Sequence, residues 1–242
     1  MFTVALIGGD GAGKTTVAKA LVDELPWRVK RLYMGQSAIS GNSALPTTKI
    51  ARFFKIRMHK NTAKEKVGQS QPAKPTSNDL HYSKKPRNWF WKFARFLNRL
   101  LETYWRQMLT AYYRLQGYMV LYDRHILFDA APKNPSRIKL RNFLDRFEYF
   151  IFHNFLPQPD LVIFLDAPAE VLYQRKGEAS IKHLNSRRDA ILRQAEHINK
   201  FVRVDASLPL EQVLAEAVSE INKYHATRSA NRKRLFGLNR RH

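Results

Sequence analysis

This sequence predicts an α/β fold, a five-stranded parallel sheet flanked by helices in three layers, and three observations predict it. Short apolar runs of strand length alternate with helical patterns along the chain, which is the order of a parallel sheet with helical crossovers. The first run, Phe2-Thr3-Val4-Ala5-Leu6-Ile7, leads directly into Gly8-Gly9-Asp10-Gly11-Ala12-Gly13-Lys14-Thr15 and then a helix. Charged residues stand at the carboxyl ends of later runs, where such sheets bind their ligands.

The glycine-rich segment fits the phosphate-loop spacing of Gly, four residues, Gly, Lys and Ser or Thr. Glycines let the backbone curl so that successive N–H groups face one anion, and the following helix aims its positive end at the same point. Lys14 supplies a charge for the outer phosphates and Thr15 a hydroxyl for Mg²⁺. Thr16 follows, and Val17, Ala18, Ala20, Leu21, Val22 and Leu25 give the helix its apolar faces. Strand, loop and helix in this order predict binding of a nucleoside triphosphate.

Arg28 to Met34 reads as the second strand, ending at Gly35. Residues 37–88 carry mostly Ser, Thr, Asn, Gln, Pro and Lys, the composition of a basic, mobile insertion. Residues 89–116 then form an amphipathic helix. Phe93, Phe96, Leu97, Leu100, Leu101, Tyr104, Met108 and Tyr112 share one broad face, and Lys92, Arg95, Arg99 and Arg106 a separate arc about 60° wide. Such a stripe predicts packing against the sheet. The third strand, Tyr118 to Tyr122, ends at Asp123-Arg124-His125, and a helix is expected from about Pro135 to Phe155. The fourth strand, Leu161 to Leu165, ends at Asp166, and Pro168 and Glu170 open a helix reaching Arg175. Arg187-Arg188 belong to a helix ending near Asn199. The fifth strand, Phe201 to Val204, precedes Asp205-Ala206-Ser207 and a last helix striped by Leu210, Val213, Leu214, Ala217, Val218 and Ile221. Ser207 is its expected cap. Residues 227–242 are a basic tail without a core pattern, so one domain spans 1–226.

The bulk numbers narrow the function classes. The chain has 242 residues and no cysteine, which excludes disulfide frameworks, thiolate catalysis and cysteine-ligated zinc. The first strand begins at Phe2, leaving no room for a signal peptide, and no run of 18 apolar residues is present. A cytoplasmic protein is expected, and a homodimer is left open. Net charge is +22, and residues 47–114 hold 16 Lys and Arg against 3 Asp and Glu. A segment so basic suits a polyanion or an anionic membrane surface, the latter through Trp89, Phe90 and Trp91.

Five segments together resemble the thymidylate kinase family of P-loop nucleoside monophosphate kinases. They are Gly9 to Thr16, the strand ending in Asp123-Arg124-His125, Pro159 to Asp166, Arg175-Lys176-Gly177-Glu178, and Val204 to Glu211. The resemblance spans about residues 1–36 and 115–224. It implies a P-loop kinase fold with a helical lid over 175–190, and Mg²⁺-assisted phosphoryl transfer from ATP to a nucleoside monophosphate such as dTMP. By this resemblance Gly8, Gly11, Ala12, Gly13, Lys14 and Thr16 cradle the donor phosphates, and Thr15 and Asp123 serve the metal. Arg124 grips the acceptor phosphate and Asp10 touches the acceptor sugar. Asp205, Ala206 and Ser207 lie against adenine with Arg175. Some members carry an arginine where Gly11 stands, so Arg175, Arg187 and Arg188 become the candidates to reach down from the lid.

Blander readings stand beside these. Asp123-Arg124 could be a strand-end ion pair, Asp166 a turn carboxylate, and Arg187-Arg188 a solvated face. The resemblance also fails on the acceptor side. Tyr33-Met34-Gly35-Gln36-Ser37 replaces an Arg-Glu-Pro-Gly-Gly type of motif, and Arg106, Gln107, Tyr112, Tyr113, Arg114 and Gln116 do not match the family's order. A sugar, glycan intermediate or nucleic-acid end therefore remains as an alternative acceptor, and ATP-dependent regulation without transfer as a third reading.

Overall fold

The computed structural model describes residues 1–35, 89–129, 143–177 and 179–237. The expected insertion at 37–88, the start of the helix expected from Pro135, and residues 238–242 lie outside them. Five strands form one parallel sheet: β1 (Thr3–Gly8), β2 (Val29–Tyr33), β3 (Met119–Asp123), β4 (Leu161–Asp166) and β5 (Phe201–Asp205). Their order is β2-β3-β1-β4-β5. The chain leaves β1 toward one edge and β4 toward the other, so a crevice opens above the carboxyl end of β1.

Seven helices are described: α1 (Lys14–Glu24), α2 (Trp89–Leu115), α3 (Ile126–Asp129), α4 (Phe143–Phe155), α5 (Ala169–Lys176), α6 (Ile181–Ala195) and α7 (Leu210–Gly237). Side chains of β1 alternate between two cores, as strand geometry requires. Val4 and Leu6 pack with Val17 and Leu21 of α1 and Val213 and Ala217 of α7. Ala5 and Ile7 pack with Leu127 and Phe128 of α3 and Ile191 of α6 on the other face. All six residues of β1 and of β4 are buried, which is why both read as continuous apolar runs. None of the described helices is long and apolar enough to cross a membrane.

Two expectations change. The helix expected to end before residue 227 continues as α7 to Gly237. Arg228 reaches Asp160 Oδ1 at 2.7 Å, and Asp160 Oδ2 accepts from the Thr3 backbone N–H at 2.8 Å, so this extension is clamped to the start of β1. The second change concerns α2. It packs beside β2 and β3, but the face turned inward is mixed: Glu102, Thr103, Arg106 and Thr110 are buried along with Phe96, and Leu109 and Tyr113 pack on the sheet core, whereas Leu97, Leu101, Tyr104, Met108 and Tyr112 are exposed. The sheet supplies the reason. Arg106 donates to the Gly35 carbonyl at 2.9 Å and to Glu102 at 2.7 Å, and Thr110 accepts from the Tyr122 hydroxyl at 3.1 Å. Polar groups of β3 and of Gly35, just after β2, thus hold several polar side chains of the helix inward, and part of its expected apolar face turns outward.

Removing one partner of the buried Glu102–Arg106 pair leaves a desolvated charge, at a cost of about 3–5 kcal/mol. Glu102→Ala is expected to lose that much in urea unfolding, and Glu102→Leu with Arg106→Met to recover most of it. A loss below about 1 kcal/mol, the scale of solvated pairs, would contradict this packing.

Candidate functional site

The loop between β1 and α1 closes on itself around a lysine. Lys14 opens α1, its side chain is buried, and Nζ donates to the carbonyls of Gly8 at 3.1 Å and Gly9 at 2.5 Å. Gly11 sits at φ 92°, and a Cβ there would fall 2.7 Å from the Leu172 carbonyl oxygen of α5. Glycine is therefore demanded by both the left-handed conformation and the close approach. An arginine at this position would not fit without movement of α5.

The end of β3 lies alongside this loop, with Asp123 in register with Leu6 of β1. Arg124 continues the ladder by donating its N–H to the Leu6 carbonyl at 3.1 Å, yet it holds φ 71°. A non-glycine residue in the left-handed region costs free energy and recurs at functional sites. The turn aims the guanidinium at Asp10 Oδ1, 3.1 Å away. The Asp123 carboxylate is buried, and its Oδ1 has no hydrogen-bond partner within the described structure. His125 is wholly buried, and burial holds its imidazole down at about 3. It stays neutral and structural at physiological pH.

Each expected lid arginine is paired with a protein group. Arg187 of α6 holds Asp129 Oδ1 at 2.5 Å, both groups mostly buried. Arg188 grips Asp166 through Nε at 2.6 Å and Nη2 at 2.9 Å, and Arg203 shares that carboxylate. Arg175 donates to the carbonyls of Ala206 at 2.6 Å and Ser207 at 3.2 Å, so it is tied to the loop after β5. In that loop the Ser207 N–H and hydroxyl both donate to Asp205 Oδ1, and α7 starts only at Leu210. A cavity of about 390 Å³ beside it is lined by Asp166, Pro168, Arg188, Arg203, Asp205 and Glu216. Thus Lys14, Asp10, Arg124, Asp123 and Arg187 gather over β1 and β3, whereas Arg175 and Arg188 stand over β4 and β5.

Asp129 was not legible in the sequence. It ends the four-residue α3, too short for periodicity, and only the apolar Ile126-Leu127-Phe128 hints at a turn of helix. It sits centrally nonetheless. A Cβ at Gly35 would lie 2.8 Å from Asp129 Oδ2, and the Asp129 charge acts on both Lys14 and Arg124.

Electrostatics at the loop favour an incoming anion. Burial lowers the Lys14 ammonium to about 8, helped by the Arg124 cation and opposed by Asp10, Asp129 and Asp123. Burial raises the Asp10 carboxyl, but Lys14 and Arg124 outweigh it and leave the group below its ordinary value. For a metal, the described residues hold no group of three or more His, Cys, Asp or Glu side chains suited to one. Mg²⁺ commonly takes one or two carboxylates and completes its shell with phosphate oxygens and water. The Thr15 hydroxyl and the unpartnered Asp123 oxygen fit that pattern.

No family model matches the chain. The chain is similar to the probable thymidylate kinase 1 of Saccharolobus solfataricus, 38% identical over 77 residues, which is 29% of this chain and 40% of that protein. It therefore spans well under half of the curated relative's length. Among solved structures, it is similar to deoxyadenosine kinase from M. mycoides with bound dATP, at a TM-score of 0.51 and 15% identity over 91% of this chain and 99% of that one. The same enzyme with bound dCTP gives 0.47 and 14% over 91% and 99%. The chain shares its overall fold with that deoxyadenosine kinase.

Lys14 has a lowered value in the free protein, so its charged form costs stability at neutral pH, and that cost fades above about 8. A bound polyphosphate restores the charge, so binding above pH 8 takes up a proton. Mg-ATP affinity measured by titration calorimetry is expected to fall, approaching tenfold per pH unit, above about pH 8. Affinity unchanged from about pH 7 to 9.5 would contradict a titrating Lys14 at the phosphate site.

Proposed function

We propose that this protein is an ATP-dependent, Mg²⁺-assisted phosphotransferase whose acceptor is a nucleoside monophosphate such as dTMP. The observation that carries the reading is the phosphate loop with buried Lys14, flanked at the next strand end by Asp123 and the strained Arg124. The likeness to a thymidylate kinase over 77 residues and the P-loop nucleoside kinase fold support it.

In this reading an acceptor phosphate oxygen forms a bond to the γ-phosphorus of ATP as the β–γ bridging bond breaks and ADP leaves. The acceptor is already anionic and needs no histidine base. The work lies in positioning and in stabilising dispersed negative charge. Gly8, Gly11, Ala12, Gly13 and Thr16 line the donor phosphates with Lys14 exchanging its carbonyl partners for phosphate oxygens. Thr15 and Asp123 would hold Mg²⁺, which would supply charge neutralisation at the phosphates. Arg124 passes from Asp10 to the acceptor phosphate, and Asp10 is then free for the acceptor's sugar. Arg187 and Arg188 exchange Asp129 and Asp166 for the transferring group as α5 and α6 close and exclude water. Asp205, Ala206 and Ser207 face the adenine, fastened by Arg175.

One observation favours a different acceptor for the same core. Arg106 is buried, bound to Glu102 and held on the Gly35 carbonyl at the end of β2, where the family resemblance would place a different motif. A non-nucleotide acceptor, a sugar or glycan intermediate or a nucleic-acid end, is the second reading.

Purified protein with Mg-ATP, offered nucleoside monophosphates, nucleosides, sugars and 5′-hydroxyl oligonucleotides, separates the two by acceptor-stimulated ADP release. Stimulation by dTMP or another nucleoside monophosphate is expected. Lys14→Ala should lower kcat/KM by at least about 100-fold, the scale of one lost charge-stabilising donor. Stimulation by sugars alone would overturn the nucleotide acceptor, and retained transfer in Lys14→Ala would overturn the site.

A further inference from the structure

Helix α7 does not stop where the sheet does. It starts at Leu210, past the carboxyl end of β5, and runs back against the strands until Arg228 meets Asp160 at the start of β4. From there it continues to Gly237, about 14 Å beyond that contact at 1.5 Å per residue. The root of this projection is fixed. Tyr224 packs on Phe2 with ring centroids 5.2 Å apart, and His225 on Trp27 at 4.5 Å. On the projection Arg232, Lys233 and Arg234 are exposed.

More cations gather at the same end. Arg114 lies in the last turn of α2, just before β3, and Arg28 just before β2, and both are exposed. Burial, Arg228, Arg114 and Arg232 together hold the Met1 amino group below its ordinary value, against Asp160, so these guanidiniums converge ahead of β1. Asp160 is engaged by Arg228 and by Thr3. Glu24 of α1 borders a cavity with Asn222 and Lys223, more than a turn back along α7. The amino end of the sheet is thus a cationic face, opposite to the phosphate loop at the carboxyl end of β1.

We propose that this face, with the α7 projection, docks on an anionic membrane surface and leaves the crevice above β1 turned toward solvent. Two observations favour lipid over nucleic acid. Nucleic-acid binding without a base code uses open aromatic faces for stacking, but Arg28 covers the Tyr118 ring at 4.7 Å and Lys30 the Tyr113 ring at 4.8 Å. A peripheral membrane surface combines cations with apolar and aromatic side chains, and the last turn of α2 exposes Leu115 at 89% and Tyr112 at 54% beside Arg114. Each basic residue near an anionic leaflet contributes about fivefold in binding. Arg28, Arg114, Arg232, Lys233 and Arg234 together then supply roughly a thousandfold, enough for association without a spanning segment. The inference does not depend on the phosphotransfer reading and survives its failure.

The test is flotation of the full chain with phosphatidylcholine vesicles, with and without phosphatidylserine. Binding is expected only with phosphatidylserine, and it should fade as salt rises from about 0.1 to 1 M. Arg232→Gln, Lys233→Gln and Arg234→Gln combined should weaken partitioning about 100-fold, at about fivefold per charge. A second measurement holds if that variant misfolds. The chain has no cysteine, so Asn231→Cys on the projection and Glu211→Cys at the opposite end of α7 can each carry an environment-sensitive fluorophore. Emission should shift to the blue on anionic vesicles from position 231 and stay unchanged from position 211. Undiminished flotation of the triple variant, or equal shifts at both positions, would overturn the proposal. So would a chain that ignores anionic vesicles but binds an RNA or DNA oligonucleotide and loses it in the triple variant.

Discussion

Burying an ammonium group at the end of a central strand is costly, and much of this structure answers that cost. Lys14 lies under the phosphate loop at the carboxyl end of β1, where every side chain of the strand is already buried. Its hydrogen bonds go to the Gly8 and Gly9 carbonyls, and the carboxylates of Asp10, Asp129 and Asp123 surround it electrostatically. Those carboxylates come from three separate places: the loop itself, α3 and the end of β3. Sheet order β2-β3-β1-β4-β5 brings them together by setting β1 between β3 and β4.

Two of these carboxylates, and a third at the end of β4, hold the surrounding arginines. Asp10 holds Arg124 and Asp129 holds Arg187, and Asp166 at the end of β4 takes both Arg188 and Arg203. Arginines already paired with carboxylates at the strand ends can exchange them for another anion, since a phosphate offers more oxygens in bidentate geometry. The left-handed backbone at Arg124 fits this picture, because its strain is met by the ladder bond to Leu6 and the pair with Asp10.

Much of this was legible in the sequence, and the failures have physical causes. Strands β1, β3 and β4 could be read because each is a buried, largely apolar run, whereas the partly buried β2 and β5 could be read from their place between helical patterns. The turn between β1 and α1 could be read because its glycine pattern is local. Asp129 could not, because its role depends on where Gly35 and α6 come to lie. Helix α2 was legible in extent but not in orientation. Its apolar periodicity points one way, yet Arg106 and Thr110 find partners on the sheet side that periodicity does not encode. The 227–237 segment has no apolar stripe, but helix-forming residues and the Arg228–Asp160 pair carry α7 through it.

The central claim is that the loop around Lys14 is the donor half of a phosphotransfer site, completed by the end of β3. A single-turnover experiment tests it most directly: γ-labelled ATP mixed rapidly with excess protein and a nucleoside monophosphate, with the labelled products separated by chromatography. The account predicts that the label appears on the acceptor as a nucleoside diphosphate, with little free phosphate. Label found only as inorganic phosphate, or left on ATP that the protein demonstrably binds, would contradict it.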